Sequence, residues 1–172
     1  MRILPRCLRL EHPGYSLALC LVLSAAACTY TDTKQPFDAD AHVNVWVKLW
    51  NTYDLSLVDE LFVADSSVTY FSSEREGLIE GIDAVRAHHV GFGFVEGGRT
   101  PENELWVEQI HATVVWPATI VTGIWYFGNR AQDTAQVQHG PMTFVYVQVE
   151  GRYRLAHLHF SEYLATPDST LE

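Results

Sequence analysis

The closing stretch of the chain constrains its fold most. Two β-rich runs, residues 137–149 and 153–160, are joined by Glu150-Gly151-Arg152. A short glycine-containing link between such runs predicts an antiparallel hairpin. Strand side chains alternate between faces. Unbroken alternation therefore puts Tyr153, Leu155, His157 and His159 on one face and Arg154, Ala156, Leu158 and Phe160 on the other. Two imidazoles on one side of a mostly apolar strand either line a cavity or are buried with partners.

Upstream, the pattern changes from strand to helix. Val43, Trp46, Val47, Trp50 and Tyr53 recur at helical spacing, which predicts a helix from near Asp38 or Asp40 to Tyr53. Ser56-Leu57-Val58-Asp59 predicts a capping box that opens a second helix through Phe62. Residues 67–71 (SVTYF) are strand-like, and 72–77 form a charged turn. A third helix over 82–92 places Ile82, Val85, His89 and Phe92 on one stripe. Residues 91–101 are a glycine-rich loop. Strands at 105–116 and 119–127, separated by a Pro117-Ala118 turn, precede the closing hairpin. Three N-terminal helices packed on one face of a curved, mostly antiparallel sheet make an α+β domain.

The first 27 residues read as a signal peptide. Arg2, Arg6 and Arg9 precede a 12-residue apolar run, 16–27, too short for the ~20 residues of a membrane-spanning helix. Ser24, Ala25, Ala26 and Ala27 lead directly to Cys28, and this segment resembles a bacterial lipoprotein signal, with Ala25 where such signals prefer Leu. Cleavage before Cys28 would leave one cysteine in the mature chain, a thiol with no internal disulfide partner, which thioether attachment to lipid would explain. The expectation is export to the bacterial cell envelope with a lipid anchor at Cys28, a polar tether over 28–37, a folded domain over 38–165 and a tail over 166–172.

Charge narrows the partners. The whole chain carries −10; losing Arg2, Arg6, Arg9 and Glu11 leaves 8 basic against 20 acidic residues. Such a surface repels phosphate backbones, so no nucleic acid is expected. Membrane contact is expected only through the acyl chains.

The order of several motifs resembles the nuclear transport factor 2-like (cystatin-like α+β cone) superfamily, in particular its small ketosteroid isomerase and SnoaL-like members. The matching pieces are Trp50-Asn51-Thr52-Tyr53-Asp54-Leu55-Ser56-Leu57 before Leu61-Phe62, then Ser67-Val68-Thr69-Tyr70 and Gly81-Ile82-Asp83-Ala84-Val85. The last is residues 151–161, which look like the closing strand of the association domain of calcium/calmodulin-dependent kinase. The resemblance implies a conical sheet with an internal pocket and a homodimer formed through the sheet. It implies no single activity. Ketosteroid isomerases place a tyrosine on the first helix and an aspartate base after the first strand. In this chain those positions fall near Trp46 and Tyr70, and neither residue can act as a carboxylate base.

Histidine is the side chain best poised for proton transfer near neutral pH. His157 and His159, about 7 Å apart by strand rise, are the catalytic candidates together with Tyr53. Trp50, Tyr70, His88, Trp125 and Tyr153 are the candidate ligand-binding residues. A metal could draw on His157 and His159 with His88, His139 or Glu74, but no HExxH, cysteine pair or clustered His/carboxylate triple is present, and neither metal nor cofactor is expected. Asp54 reads as a helix cap. Three functions follow: a pocket protein that binds a small apolar or aromatic molecule; a cofactor-independent lyase, isomerase or cyclase using His157, His159 and a tyrosine; or a dimerisation and assembly module.

Overall fold

A computed structural model describes residues 36–131 and 137–164, all within one compact unit, Pro36–Glu172. The expected signal peptide, most of the tether, Cys28 and the tail lie outside the described residues.

Helix α1, Ala39–Thr52, begins where the Asp38 carboxylate accepts a hydrogen bond from the Ala41 N–H at 3.0 Å. Its stripe of Val43, Trp46, Leu49 and Trp50 is buried, and the helix stops at Tyr53, whose φ of 50° is left-handed. Helix α2, Ser56–Leu61, is not opened by the expected capping box: its N-cap is Leu55, which makes no side-chain cap. Asp54 takes that role. One of its carboxylate oxygens accepts from the Ser56 N–H (3.0 Å), the Ser56 hydroxyl (2.7 Å) and the Gly97 N–H (3.2 Å). These bonds to the charged form hold the Asp54 pKa below the usual carboxylate range. Helix α3, Ile82–Gly91, turns Val85 and His89 into the core.

Six strands form one sheet in the order β2-β1-β6-β5-β4-β3: β1 Thr69–Phe71, β2 Ile79–Glu80, β3 Glu104–Val115, β4 Ala118–Gly128, β5 Gln138–Val149 and β6 Arg152–Phe160. The last four form the expected antiparallel meander. The β5–β6 turn uses Glu150 (φ 51°) and Gly151 (φ 77°), the two positive values a tight hairpin matching strand twist requires. Two features escape sequence periodicity. Strand β2 has only two residues, and β1 pairs parallel with β6 (Thr69 with His157, Phe71 with His159).

Helix α1 is fastened to β3 by Asn51, whose amide donates to the Leu105 carbonyl (2.9 Å) while its carbonyl accepts from the Leu105 N–H (2.7 Å). The core between helices and sheet contains Trp46, Leu49, Phe62, Phe144, Tyr146, Leu155 and Leu158, each fully enclosed. A second, smaller cluster joins Trp106, Tyr126 and Val137.

Two register shifts interrupt the sheet. On β3, Glu108 faces Ile124 and His111 faces Thr122, so Gln109 (φ 55°) and Ile110 together oppose Gly123. On β6, Leu155 faces Tyr146 and His157 faces Val145, so Ala156 is a supernumerary residue. An extra residue of this kind bends a strand and reverses the facing of everything beyond it.

Candidate functional site

A cavity of about 160 Å³ lies between the helices and the concave side of the sheet. Helix α1 contributes Trp46 and Trp50, with Tyr53 at its C-cap; Phe92 closes the end of α3; Trp125 and Phe127 come from β4 and Phe160 from β6. Trp46 stacks on Phe160 at 4.7 Å, and Trp50 meets Phe92 and Phe127 edge-on at 5.3 and 6.0 Å. These rings support one another, so the chamber is walled by a continuous aromatic lattice. The polar part of the lining is Tyr53 and Tyr70, the residues just after β1, Ser72, Ser73 and Glu74, and Gln138 on β5.

Tyr70 and Tyr53 supply phenols. Burial pushes the Tyr70 hydroxyl far above the ordinary phenol range; a hydrogen bond with Ser72 opposes that shift and the Glu74 charge adds to it. Burial also raises Tyr53, against the Arg99 guanidinium, which sits 4.3 Å from the Tyr53 ring. Both hydroxyls stay protonated near neutral pH. They can donate hydrogen bonds but cannot accept a proton as bases.

The candidates from sequence divide accordingly. Trp50, Tyr53, Tyr70 and Trp125 line the cavity, as does Trp46. His157 and His159 do not. The supernumerary Ala156 turns them to the other side of the sheet, while Leu155, Leu158 and Phe160 point inward, which corrects the simple alternation. On that outer side His157 Nδ1 lies 2.8 Å from the Thr69 hydroxyl, His159 Nε2 lies 3.1 Å from the Ser161 hydroxyl, and the exposed Phe71 ring packs beside both. Partial burial, with the neighbouring His159, lowers the His157 pKa.

Tyr153 is also displaced from the site. It packs at the start of α1 against Phe37 (4.8 Å) and His42 (5.3 Å). His88 stands behind the lining, edge-on to Tyr70 at 5.2 Å. Its neighbour His89 is fully buried; its Nδ1–H donates to the Val85 carbonyl at 2.8 Å, which leaves Nε2 as an unprotonated acceptor. Burial lowers the His89 pKa to about 4. Among the described residues, no three His, Cys, Asp or Glu side chains gather as a metal site would require. Phe92, Phe127 and Phe160 were missed as lining residues. Helical spacing marked Phe92 as apolar, but no local signal shows which apolar residue borders a void rather than the core.

No family model and no curated protein matches the chain. Solved structures do. A nuclear transport factor 2-like superfamily protein from Salmonella enterica serovar Typhimurium superposes with a TM-score of 0.58 at 19% identity, covering 76% of this chain and 92% of that one. A protein with a cystatin-like fold from Caulobacter vibrioides gives 0.57 at 18%, over 75% and 88%. The association domain of the C. elegans calcium/calmodulin-dependent kinase II gives 0.54 at 19%, over 71% and 90%. Identities this low speak for architecture alone. The chain therefore has the cystatin-like α+β fold that these solved structures share.

Proposed function

We propose that this is a pocket protein that holds a small apolar or aromatic molecule in the chamber under α1. The observation that carries the reading is the lining: eight aromatic residues around a space of about 160 Å³, with few polar groups, the Tyr53 and Tyr70 phenols, Ser72 to Glu74 and Gln138. Binding sites have this composition, apolar walls with a few placed polar groups. A void of roughly 150 Å³ is known to accept a benzene-sized guest, so the ligand body is one or two rings rather than a four-ring steroid. Acid–base catalysis is the weaker reading, because the lining contains two protonated phenols and no imidazole, and its carboxylate, Glu74, is exposed to solvent rather than held inside the chamber.

Trp46, Trp50 and Trp125 make the chamber its own reporter. Titrating 2-phenylethanol should quench or shift their fluorescence. Phe127→Ala should weaken that binding about tenfold by removing one ring from the wall. His157→Ala and His159→Ala should leave it unchanged. Equal losses in all three variants would contradict a chamber-bound ligand.

Export and lipid anchoring through Cys28 belong to the same proposal and rest on residues 1–28 alone. Self-association through the outer sheet face is favoured by its composition. Across β3 to β6 and β1, the row His111, Thr122, Thr143, His159 and Phe71 and the row Thr113, Ile120, Val145, His157 and Thr69 contain no carboxylate, Lys or Arg; the second row meets Glu80 only at the edge strand β2. Native mass spectrometry of the protein from envelope membranes reads both points. The expected particle has two chains, each starting at an acylated Cys28; an unacylated monomer would remove both.

A further inference from the structure

The chamber is asymmetric in charge, and this asymmetry says more about the occupant than its aromatic walls do. Among the described residues that line the chamber, Glu74 is the only charged one, and no Lys, Arg or His joins it. Its carboxylate is also uncommitted. The ion pairs among the described residues run from Arg86 to Asp59 and Glu96 and from Arg130 to Glu104, and they leave Glu74 out. Only its backbone N–H is used, donating to the Ser72 hydroxyl at 3.2 Å. The adjacent Arg75 acts on His88 behind the wall and does not line the chamber. Glu74 is exposed, so it marks the mouth, whereas Trp46, Trp125 and Phe160 are buried and mark the interior. Its field nevertheless reaches the wall, since it adds to the upward shift of the Tyr70 hydroxyl.

We propose that the ligand is an amphipathic amine, whose ring or short apolar body fills the aromatic chamber and whose ammonium sits at the mouth beside Glu74. This deepens the pocket reading above and rests on it. Three features of the site fit a cation and disfavour an anion. The negative faces of aromatic rings attract ammonium groups within about 6 Å. A carboxylate at the mouth would otherwise lose part of its hydration to any bound molecule without gaining a partner. The formal charge of −10 draws cations toward the protein as a whole. An anionic ligand would meet the same carboxylate with no basic group to offset it.

Three probes of one shape and different charge test this: 2-phenylethylamine, 2-phenylethanol and 3-phenylpropionate, titrated at pH 7 and low salt. The amine should bind about tenfold tighter than the alcohol, the range expected for a ring-supported ammonium next to a carboxylate. The propionate should bind most weakly. Glu74→Gln should remove most of the amine's advantage over the alcohol, and an unchanged urea midpoint shows that the variant is folded. Equal affinities in the parent protein, or an amine preference undiminished in Glu74→Gln, would overturn the amine assignment and leave the pocket reading intact. Failure of all three probes to bind would remove the pocket reading and this inference together.

Discussion

Replacing Trp46 by alanine should destabilise the domain by about 3–5 kcal/mol, the range for removing a large buried aromatic. Trp46 is wholly enclosed, stacks on Phe160 at 4.7 Å, and touches Phe144 at 5.2 Å and Trp50 at 6.1 Å. It therefore links α1 to β5 and β6 while forming part of the chamber wall. A natural domain has ~5–15 kcal/mol in total, so this one change takes a large share of it. Urea denaturation of the two proteins checks the value. A loss below about 1 kcal/mol would mean that the chamber collapses around the missing ring and that the aromatic lattice is not rigid.

Acidification is expected to act through His89. Its side chain is fully buried and keeps its neutral form down to a pKa of about 4, against about 6.5 in an unfolded chain. Between those values the unfolded chain binds a proton that the folded one refuses. Stability is therefore at its full value above pH 6.5 and falls as the pH drops toward 4, by about 3 kcal/mol in all. His88 and His157 are shifted in the same direction, chiefly by burial, and add to the same slope. Asp54 and Asp65, both lowered by hydrogen bonds from their following serines, lose their contributions at more acidic pH. Denaturant midpoints measured from pH 7 to 4 should decline steeply in the parent and much less in His89→Leu. Parallel declines in both proteins would show that another group sets the acid sensitivity.

Much of this fold can be read from residue periodicity because each long element buries one face. The stripe of Val43, Trp46 and Trp50 and the glycine turn at Glu150-Gly151 are local signals, and both appear as expected. The parallel pairing of β1 with β6 joins residues 88 positions apart, such as Thr69 and His157, and no local pattern encodes it. The candidate site shows the same division. Trp50, Tyr70 and Trp125 were legible as large aromatics able to pack against a flat or apolar ligand, whereas Gln138 and the Ser72–Glu74 segment reach the chamber only through tertiary placement. His157 and His159 lie outside the chamber for one identifiable reason: alternation assumes an unbroken register, and Ala156 breaks it.

That single alanine has a consequence for how such chambers diversify. Inserting or removing one letter midway along a closing strand exchanges every later side chain between interior and exterior at once, with no substitution downstream. Two proteins with nearly the same terminal strand could then present imidazoles to a substrate in one case and to the outside in the other. Comparing aligned letters would miss the difference, and only counting residues between paired strands would reveal it.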